Sequence, residues 1–354
     1  MVNVLPRGSA TMTEVAKAAG VSLGTVSNVL NHPEKVRESL RDRVLAAIDE
    51  LGFVRNSAAR TLAAGSSNTV GMVMVDVSNT LYTDMARGAE AVTSASGMYL
   101  VLANAAIDRD RQRAYIDHFL QEQLAGILLT VYGSELGGVE RILRAGGRVV
   151  LLDAPVEDSL DVCSVRVDYE LSGYLAARHL IELGRRKLVF AGGELTTLAV
   201  AERYRGVQRA VAESGSVELE RIGSIEIQTE DGETIAAELG GRPRHDLPDG
   251  IVAAADLVAM GLMNSLLSDG VRFPDDIAII ACDDNKSGRD SAVPISTVDL
   301  PGYAVGEAGM SLMLDELRSG EAHQHRKMVL PPTISARESS IGRLGSVPRP
   351  AQRG

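Results

Sequence analysis

Between Thr11 and Asn31 the chain reads TMTEVAKAAGVSLGTVSNVLN. Thr11 followed three residues later by Glu14 is the pattern of a capping box, which predicts a short helix that Gly20 ends. Ser22 then predicts the N-cap of a second helix that runs to Asn31. Two short helices joined by a turn at a glycine are typical of a helix-turn-helix, whose second helix enters the major groove of DNA.

The helical pattern continues beyond this pair. Apolar residues at helical spacing predict a third helix over about 39–51. Asn56 then predicts the cap of a fourth, short helix over 57–64. The polar, glycine-containing residues 65–68 are typical of a flexible linker. We therefore place the first domain at residues 10–65.

The second predicted helix presents a polar face that suits nucleic acid. Short hydroxyl side chains hold phosphate oxygens without the flexibility of long basic ones. Leu23 suits contact with a thymine methyl group, and the amide of Asn28 suits a bidentate pair with adenine. The alternative is a plain helical hairpin with a polar surface. The outward residues that the pattern selects are Ser22, Leu23, Gly24, Thr25, Ser27 and Asn28.

The charge of the chain is divided unevenly. The 354 residues carry a formal net charge of −11. Residues 1–65 hold eight Lys and Arg against six Asp and Glu, a balance of +2, so the remainder carries −13. The mildly basic residues 1–65 can bind a polyanion, whereas the acidic remainder of the chain is repelled by it.

The composition excludes several classes of protein. Hydrophobic residues make up 45% and charged residues 23% of the chain, as in globular proteins rather than disordered or fibrous ones. There is no run of 18 apolar residues and no apolar signal segment, so we expect a cytoplasmic protein without membrane contact. An aromatic content of 3% argues against extensive stacking of bases or sugars on rings.

The pattern changes from residue 69 onward. Short apolar runs alternate with helical stretches, which is typical of α/β folds with parallel sheets buried on both faces. Roughly 270 residues are too many for one core, so we expect two subdomains. The proline- and glycine-containing residues 343–354 are expected to form a disordered tail.

The ordered string over residues 11–31 resembles the headpiece of the LacI/GalR family of transcription regulators. The resemblance continues through residues 51–53 and 56–62. Residues 201–206 and 277–284 resemble the core of the same family, so the likeness spans nearly the whole chain.

The resemblance implies a homodimer that binds a pseudo-palindromic operator in double-stranded DNA. It also implies that residues 57–64 are a hinge helix that folds on DNA and presents Leu62 to the minor groove. An apolar wedge between base steps unstacks and kinks the duplex. Besides the outward residues named above, the DNA contacts that the resemblance implies are Thr11, Asn31, Asn56, Ala59 and Leu62.

The resemblance further implies a core over residues 69–342 that is similar to periplasmic sugar-binding proteins. Such cores have two doubly wound subdomains with a ligand cleft between them, beyond the carboxyl ends of the strands. Each subdomain is expected to combine two segments, about 69–163 with 298–328 for the N-subdomain and about 164–297 with 329–342 for the C-subdomain.

The side chains expected to bind the effector follow predicted strands. Arg203, Asp283 and Asp153 match ligand positions of the family. A carboxylate accepts from two hydroxyls at once and a guanidinium donates through a planar fork, a combination that suits sugar hydroxyls. Tyr82 and Tyr132 are the ring platforms available. We therefore expect a small sugar or another polyol as the effector.

Three further aspartates follow predicted strands. Asp256 and Asp284 fit the structural role of capping the next helix better than a ligand role. For Asp76 both roles stay open.

The chain departs from the family pattern at four places. Asn28 stands where the family usually has Arg, which favours adenine over guanine in the operator. Arg55 replaces the proline before the hinge asparagine, so the entry to the hinge is less preorganised. Residues 79–82 lack the Asn-Pro and two Phe of the first loop, and Ala255 stands in place of an Asn. The effector is therefore read differently from that of the best-known sugar-responsive members.

No catalytic or metal-binding motif is found in the sequence. Neither a glycine-rich phosphate loop nor a Gly-x-Ser-x-Gly elbow follows a strand. Cys163 and Cys282 cannot form a four-cysteine metal site. His323 and His325 lie in a polar stretch without a nearby cysteine, so we expect them to be solvated. We therefore expect no enzyme activity, no cofactor and no metal.

Three functions are compatible with these features. A ligand-responsive DNA-binding repressor is the leading one. An α/β enzyme with a helical appendage would need a catalytic base beside a reactive group, and the sequence shows none. A secreted sugar-binding protein would need a signal sequence and would have no use for residues 1–65. The sequence identifies neither the effector nor the operator, nor whether the effector releases or strengthens DNA binding.

Overall fold

The computed structural model describes residues 10–54, 67–131, 137–154 and 160–342. The chain forms two compact units, residues 1–66 and 67–354. The predicted hinge helix and the predicted disordered tail lie outside the described residues, as do Arg55, Asn56, Ala59, Leu62 and Tyr132.

The described part of the first unit is built from three helices, α1 (Met12–Ala19), α2 (Leu23–Asn31) and α3 (Glu38–Leu51). Gly20 ends α1 in the left-handed conformation, with φ of 62°, which turns the chain into α2. The three helices bury a small apolar core whose wholly buried members are Val15, Val26 and Val44. The predicted helix-turn-helix and its supporting third helix are therefore present.

The described part of the second unit contains twelve strands. They are β1 (Thr69–Met74), β2 (Tyr99–Asn104), β3 (Gly126–Thr130), β4 (Val149–Leu152), β5 (Cys163–Val167), β6 (Lys187–Ala191), β7 (Glu218–Ile222), β8 (Gly250–Ala253), β9 (Ala278–Asp283), β10 (Ser296–Asp299), β11 (Lys327–Leu330) and β12 (Thr333–Ser335).

Helices alternate with these strands. They are α4 (Thr80–Ala95), α5 (Arg109–Gln121), α6 (Gly137–Arg144), α7 (Tyr169–Glu182), α8 (Leu198–Ser214), α9 (Thr229–Gly240), α10 (Asp256–Ser268), α11 (Lys286–Arg289), α12 (Gly302–Ser319) and α13 (Glu338–Ile341). Short 3-10 turns lie at Pro33–Lys35, Arg244–Asp246 and Gly320–Ala322. Within the described residues no helix is long and apolar enough to cross a bilayer.

The strands form two six-stranded sheets of the same design. The first has the order β2-β1-β3-β4-β5-β11, and every neighbouring pair is parallel. The second has the order β7-β6-β8-β9-β10-β12 and is parallel except for the pair β10–β12. All residues of β3, β4 and β8 are buried, as expected for strands covered on both faces.

The chain crosses between the sheets later than the sequence suggested. β5 pairs with β4, so residues 164–167 belong to the first sheet and not to the C-subdomain. β10 lies in the second sheet, so the return crossing follows Asp299 rather than residue 297. β11 pairs with β5 and β12 pairs with β10, which places the last crossing after Leu330. Short apolar strands fit either sheet, and pairing with distant strands decides which one they join.

Helices α7 and α8 pack so closely that glycine is required in both. A Cβ atom at Gly173 would lie 1.8 Å from the carbonyl oxygen of Arg203, and one at Gly206 would lie 1.9 Å from that of Glu170. Because Tyr169 begins α7 and Arg203 lies on α8, this close packing fixes the spacing of two residues of the candidate ligand site.

Gly206→Ala is therefore expected to destabilise the protein by about 1–3 kcal/mol, because the added methyl group must displace a backbone carbonyl. Gly137→Ala is the matched control, since a Cβ atom there meets nothing within 4 Å. Urea denaturation of the full chain measures both. Equal midpoints for the two variants would contradict the close packing of α7 and α8.

Candidate nucleic-acid interface and ligand-binding cleft

Helix α2 separates its residues into a buried face and an exposed face. Val26 and Val29 pack in the core of the first unit. Leu23 is 51% exposed, which is high for a large apolar side chain. Ser22, Gly24, Asn28 and Asn31 are also exposed, whereas Thr25 and Ser27 are half-buried. The exposed apolar Leu23 beside exposed amides is an arrangement that suits the edges of bases.

The hydroxyl groups at the start of α2 are partly used within the helix. Ser22 Oγ accepts from the backbone N–H of Thr25 at 3.1 Å, and the two hydroxyl oxygens lie 2.9 Å apart. One hydroxyl therefore donates to the other, and the pair keeps one hydrogen for a phosphate oxygen. Ser27 Oγ accepts from the Asn31 amide at 3.3 Å, which leaves its own hydrogen available.

Thr11 uses the hydrogen-bonding capacity of its hydroxyl group more fully than Ser22, Thr25 and Ser27 do. Its Oγ1 lies 2.9 Å from Glu14 Oε2 and accepts from the Glu14 N–H, and its own N–H donates to the same carboxylate at 2.7 Å. This is the predicted capping box. A phosphate at this hydroxyl would compete with the Glu14 carboxylate for the only hydrogen.

Arg43 was not among the predicted functional residues, although it holds the turn of the helix pair. Its guanidinium donates from α3 to the carbonyl oxygen of Ala19 and, at 3.3 Å, to that of Gly20. These bonds satisfy the carbonyls of Ala19 and Gly20 and tie α3 to the turn between α1 and α2. Nothing in the local sequence marks this long-range bond.

In the second unit, residues from both sheets meet at the carboxyl ends of the strands. Tyr82 lies in the first turn of α4, and Asp153 directly follows β4 in the first sheet. Arg203 lies on α8, and Asp283 ends β9 in the second sheet. Tyr169 starts α7 just after the chain leaves the first sheet. We call these five residues the cleft cluster.

Direct contacts link four members of the cleft cluster. The Arg203 guanidinium donates to Asp283 Oδ1 at 2.7 Å and to the carbonyl oxygen of Ala254 at 2.6 Å. Its Cζ lies 4.9 Å from the centre of the Tyr169 ring, within range of a cation–π contact. The Tyr169 hydroxyl donates to Asp153 Oδ2. A continuous chain of contacts therefore joins the ends of the two sheets.

Two atoms of this cluster are buried without a partner. Asp153 Oδ1 and Arg203 Nε make no hydrogen bond to any described residue. Buried polar atoms in folded proteins are nearly always paired, so each such exception needs an explanation. A ligand hydroxyl group both donates and accepts a hydrogen bond. It can therefore pair with a free acceptor on one side of the cleft and a free donor on the other.

The electrostatics of the cluster follow from its burial. Burial raises the pKa of Asp153 to about 6, although the bond from Tyr169 opposes this shift. Burial also raises the pKa of Asp283, against the charge of Arg203. The pKa of the Tyr82 hydroxyl is raised by burial and by the charges of Asp153 and Asp283. Tyr82, Asp153, Arg203 and Asp283 thus interact as one group, as the sequence predicted from their strand ends.

The backbone is strained at the same place. Asp153 has φ of 52°, Asp283 has 139° and Asp284 has 59°, values that side chains other than glycine rarely adopt. Strained residues of this kind cluster at functional sites, where the surrounding structure holds them.

The neighbouring aspartates have structural partners. Asp256 accepts from the N–H of Asn285 at 2.7 Å and from the Thr297 hydroxyl at 3.0 Å. Asp284 accepts from Arg337 at 2.6 Å and from Arg289. Both therefore have structural partners, but these bonds are not the helix caps that the sequence suggested: no side-chain cap bond from a described residue begins α10, and Asp284 pairs with arginine side chains.

The contacts of Asp76 are local. Its carboxylate accepts from the backbone N–H of Ser78 at 3.0 Å and from the hydroxyl of the same residue. These bonds close the turn that leads into α4, which favours the structural role for Asp76.

Tyr169 is the member of the cluster that sequence reasoning missed. It follows β5 as Asp153 follows β4, so examining the end of that strand in the same way would have found it.

The expectation of solvated histidines at 323 and 325 is wrong. The His323 side chain is 2% exposed, and its Nε2 lies 3.2 Å from Cys163 Sγ. The two residues are 160 positions apart in the sequence, and the pairing of β5 with β11 brings them together.

Comparisons with known proteins agree with this architecture. Residues 11–56 match the bacterial regulatory proteins of the lacI family, and residues 163–340 match the periplasmic binding protein-like domain. The HTH-type transcriptional regulator RegA of Clostridium saccharobutylicum is 30% identical over 332 residues, which cover 93% of this chain and 98% of RegA.

Two solved structures share the fold along most of the chain. The complex of the transcriptional regulator CelR with cellobiose has a TM-score of 0.67 at 25% identity and covers 94% of this chain and all of that one. The lac repressor dimer bound to operator and an anti-inducer has a TM-score of 0.80 at 20% identity and covers 94% of this chain and 99% of that one.

The raised pKa of Asp153 makes its effect on stability depend on pH. The folded state holds the proton more tightly than the unfolded chain, whose pKa is 3.8. The contribution of Asp153 to the free energy of unfolding therefore falls as pH rises from about 4 to about 6. Asp153→Asn keeps an oxygen for Tyr169 but does not titrate in this range, so the variant should gain up to about 3 kcal/mol on wild type between pH 4 and 7. Urea denaturation across this range measures the gain, and a difference that stays constant would contradict it.

Proposed function

The chain belongs to the lacI family of bacterial regulatory proteins, and on that premise we propose that it is a repressor whose operator affinity is set by a sugar or related polyol bound at the cleft cluster. Membership makes it a DNA-binding transcriptional regulator rather than an enzyme, and one controlled by an effector. We propose in addition the chemical class of the effector and the residues that bind DNA and effector.

The observation that carries the choice of effector is the pair of unpaired buried atoms, Asp153 Oδ1 and Arg203 Nε. A polyol presents several hydroxyl groups, each of which accepts one hydrogen bond while it donates another. Tyr82 adds a half-buried aromatic ring from α4, on the side of the first sheet. The relative CelR has been solved with cellobiose, which supports a carbohydrate.

The DNA-binding face is proposed to be the exposed side of α2. Asn28 reads a base, Leu23 contacts a thymine methyl group, and the free hydroxyl hydrogens around Ser22 and Ser27 hold phosphate oxygens. Two such heads in a homodimer would read two half-sites of a pseudo-palindrome, as the dimer of the structurally similar lac repressor bound to its operator suggests. Leu62, in the predicted hinge, is proposed to enter the minor groove.

Coupling between the sites is proposed to act through closure of the cleft. Asp153 follows a strand of the first sheet, whereas Arg203 lies on α8 and pairs with Asp283 at the end of a strand of the second sheet. A ligand that bonds to both therefore favours one relative position of the two subdomains. A ligand shifts such an equilibrium only by its difference in affinity between the two states. The predicted hinge helices of the dimer would then be brought to, or removed from, the spacing that DNA requires.

Operator titration with and without a panel of sugars tests the ligand site. Arg203→Lys keeps a positive charge beside Asp283 but lacks the fork, so its operator affinity should persist while the response to sugar is lost. Arg203→Ala is a poorer choice, because an unpaired buried Asp283 costs about 3–5 kcal/mol of stability. A normal sugar response of Arg203→Lys would place the effector elsewhere.

Tyr82→Phe gives the milder test, because it removes a single hydroxyl group. We expect sugar affinity to fall about two- to twelvefold, which corresponds to about 0.5–1.5 kcal/mol for one hydrogen bond. Tyr99→Phe, on an exposed position of β2, is the control and should bind normally. Calorimetric titration measures both, and equal affinities would remove Tyr82 from the site.

Asn28→Arg is expected to shift the preferred operator toward guanine at one position in each half-site. A good bidentate pair discriminates by about 1–3 kcal/mol. Selection from a random DNA library reads out the consensus. Ala18→Arg, which adds the same charge at an exposed position of α1, should leave the consensus unchanged. An unchanged consensus for Asn28→Arg would exclude Asn28 from base reading.

A further inference from the structure

Three potential metal ligands meet at the amino end of β5, although they are far apart in the sequence. Cys163 is the first residue of β5, and His323 and His325 lie in the segment that leads into β11. β11 pairs with β5 in parallel, with Lys327 opposite Ser164. One ligand atom from each of the three side chains lies within 4.8 Å of the other two.

The distances suit a tetrahedral ion. Cys163 Sγ and His323 Nε2 are 3.2 Å apart. A zinc ion binds sulfur at about 2.3 Å and nitrogen at about 2.0–2.1 Å, which places two tetrahedral ligands about 3.6 Å apart. The rings of His323 and His325 are nearly perpendicular, with centres 5.0 Å apart, so neither blocks the space between the ligands.

The polar atoms around this point lack partners. His325 Nδ1 and Glu316 Oε2 are buried and make no hydrogen bond to any described residue. Glu316 and both histidines line the same pocket. His323 Nδ1 is also buried and makes no hydrogen bond to any described residue, although Asp315 Oδ2 lies 3.2 Å away. A bound cation would attract the Glu316 carboxylate and give the histidine rings a partner.

We propose that Cys163, His323 and His325 form a binding site for a divalent transition metal, with zinc as the ion that best suits one thiolate and two imidazoles. Glu316 lines the same pocket and adds a carboxylate charge close to the two histidines. The site lies at the amino ends of the strands, whereas the cleft cluster lies at their carboxyl ends. The proposal is therefore independent of the proposed effector, and each can fail without the other.

Cobalt substitution of the full-length chain tests the thiolate. After metal is removed with a chelator, one equivalent of Co²⁺ should give a thiolate-to-cobalt charge-transfer band that Zn²⁺ abolishes by displacement. Cys282→Ser removes the other free thiol and should keep the band, whereas Cys163→Ser should lose it. The absence of the band in wild type, or its persistence in Cys163→Ser, would overturn the proposal.

Because Cys163 is buried, its replacement can impair folding, and a second variant keeps the test decisive. His325→Gln should weaken Zn²⁺ binding by more than about tenfold in competition with a chromophoric chelator. His245→Gln is the matched control, since the side chain of His245 is 80% exposed and lies outside the cluster. Equal Zn²⁺ affinity of His325→Gln and wild type would overturn the site, and circular dichroism verifies that each variant is folded.

Discussion

The side chain of Arg203 is 3% exposed. A buried guanidinium is stable in a protein only if an opposite charge and hydrogen-bond acceptors lie beside it. Arg203 meets this condition through Asp283 and the carbonyl oxygen of Ala254. The rest of the cleft depends on this ion pair, because Tyr169 stacks on the guanidinium across the cleft and bonds to Asp153 on its own side. Arg203 Nε is the guanidinium nitrogen that makes no hydrogen bond to a described residue, so its hydrogen is available to a ligand.

The fold supplies the geometry that this pair requires. Parallel strands end at one edge of each sheet, so residues that follow β4 and β9 meet although they are 130 positions apart in the sequence. The glycine contacts between α7 and α8 bring Tyr169 and Arg203 within reach of each other. Asp153 and Asp283, at the ends of β4 and β9, both have a positive φ, which the surrounding structure must hold.

Features set by local sequence could be predicted, and features set by distant contacts could not. The caps at Thr11 and Ser22 and the continuous apolar strands from β1 to β6 follow from neighbouring residues. β7 exposes alternate residues and β12 exposes most of its residues, because both lie at sheet edges, so neither has a continuous apolar pattern. The start of α12 is rich in glycine, which does not favour a helix, and packing against α4 stabilises it. Four of the five members of the cleft cluster were predicted as ligand residues, but Tyr169, Arg43 and the pairing of Cys163 with His323 depend on tertiary contacts.

The central claim is that a ligand bound at the Arg203 pair and the operator bound at α2 influence each other's affinity. Thermodynamic linkage requires the influence to be reciprocal. The direct measurement is calorimetric titration of an active sugar into the full-length protein, once free and once saturated with operator DNA. The account predicts that the two sugar affinities differ by the same factor by which the sugar changes operator affinity. Equal sugar affinities for the free and the operator-bound protein would contradict it.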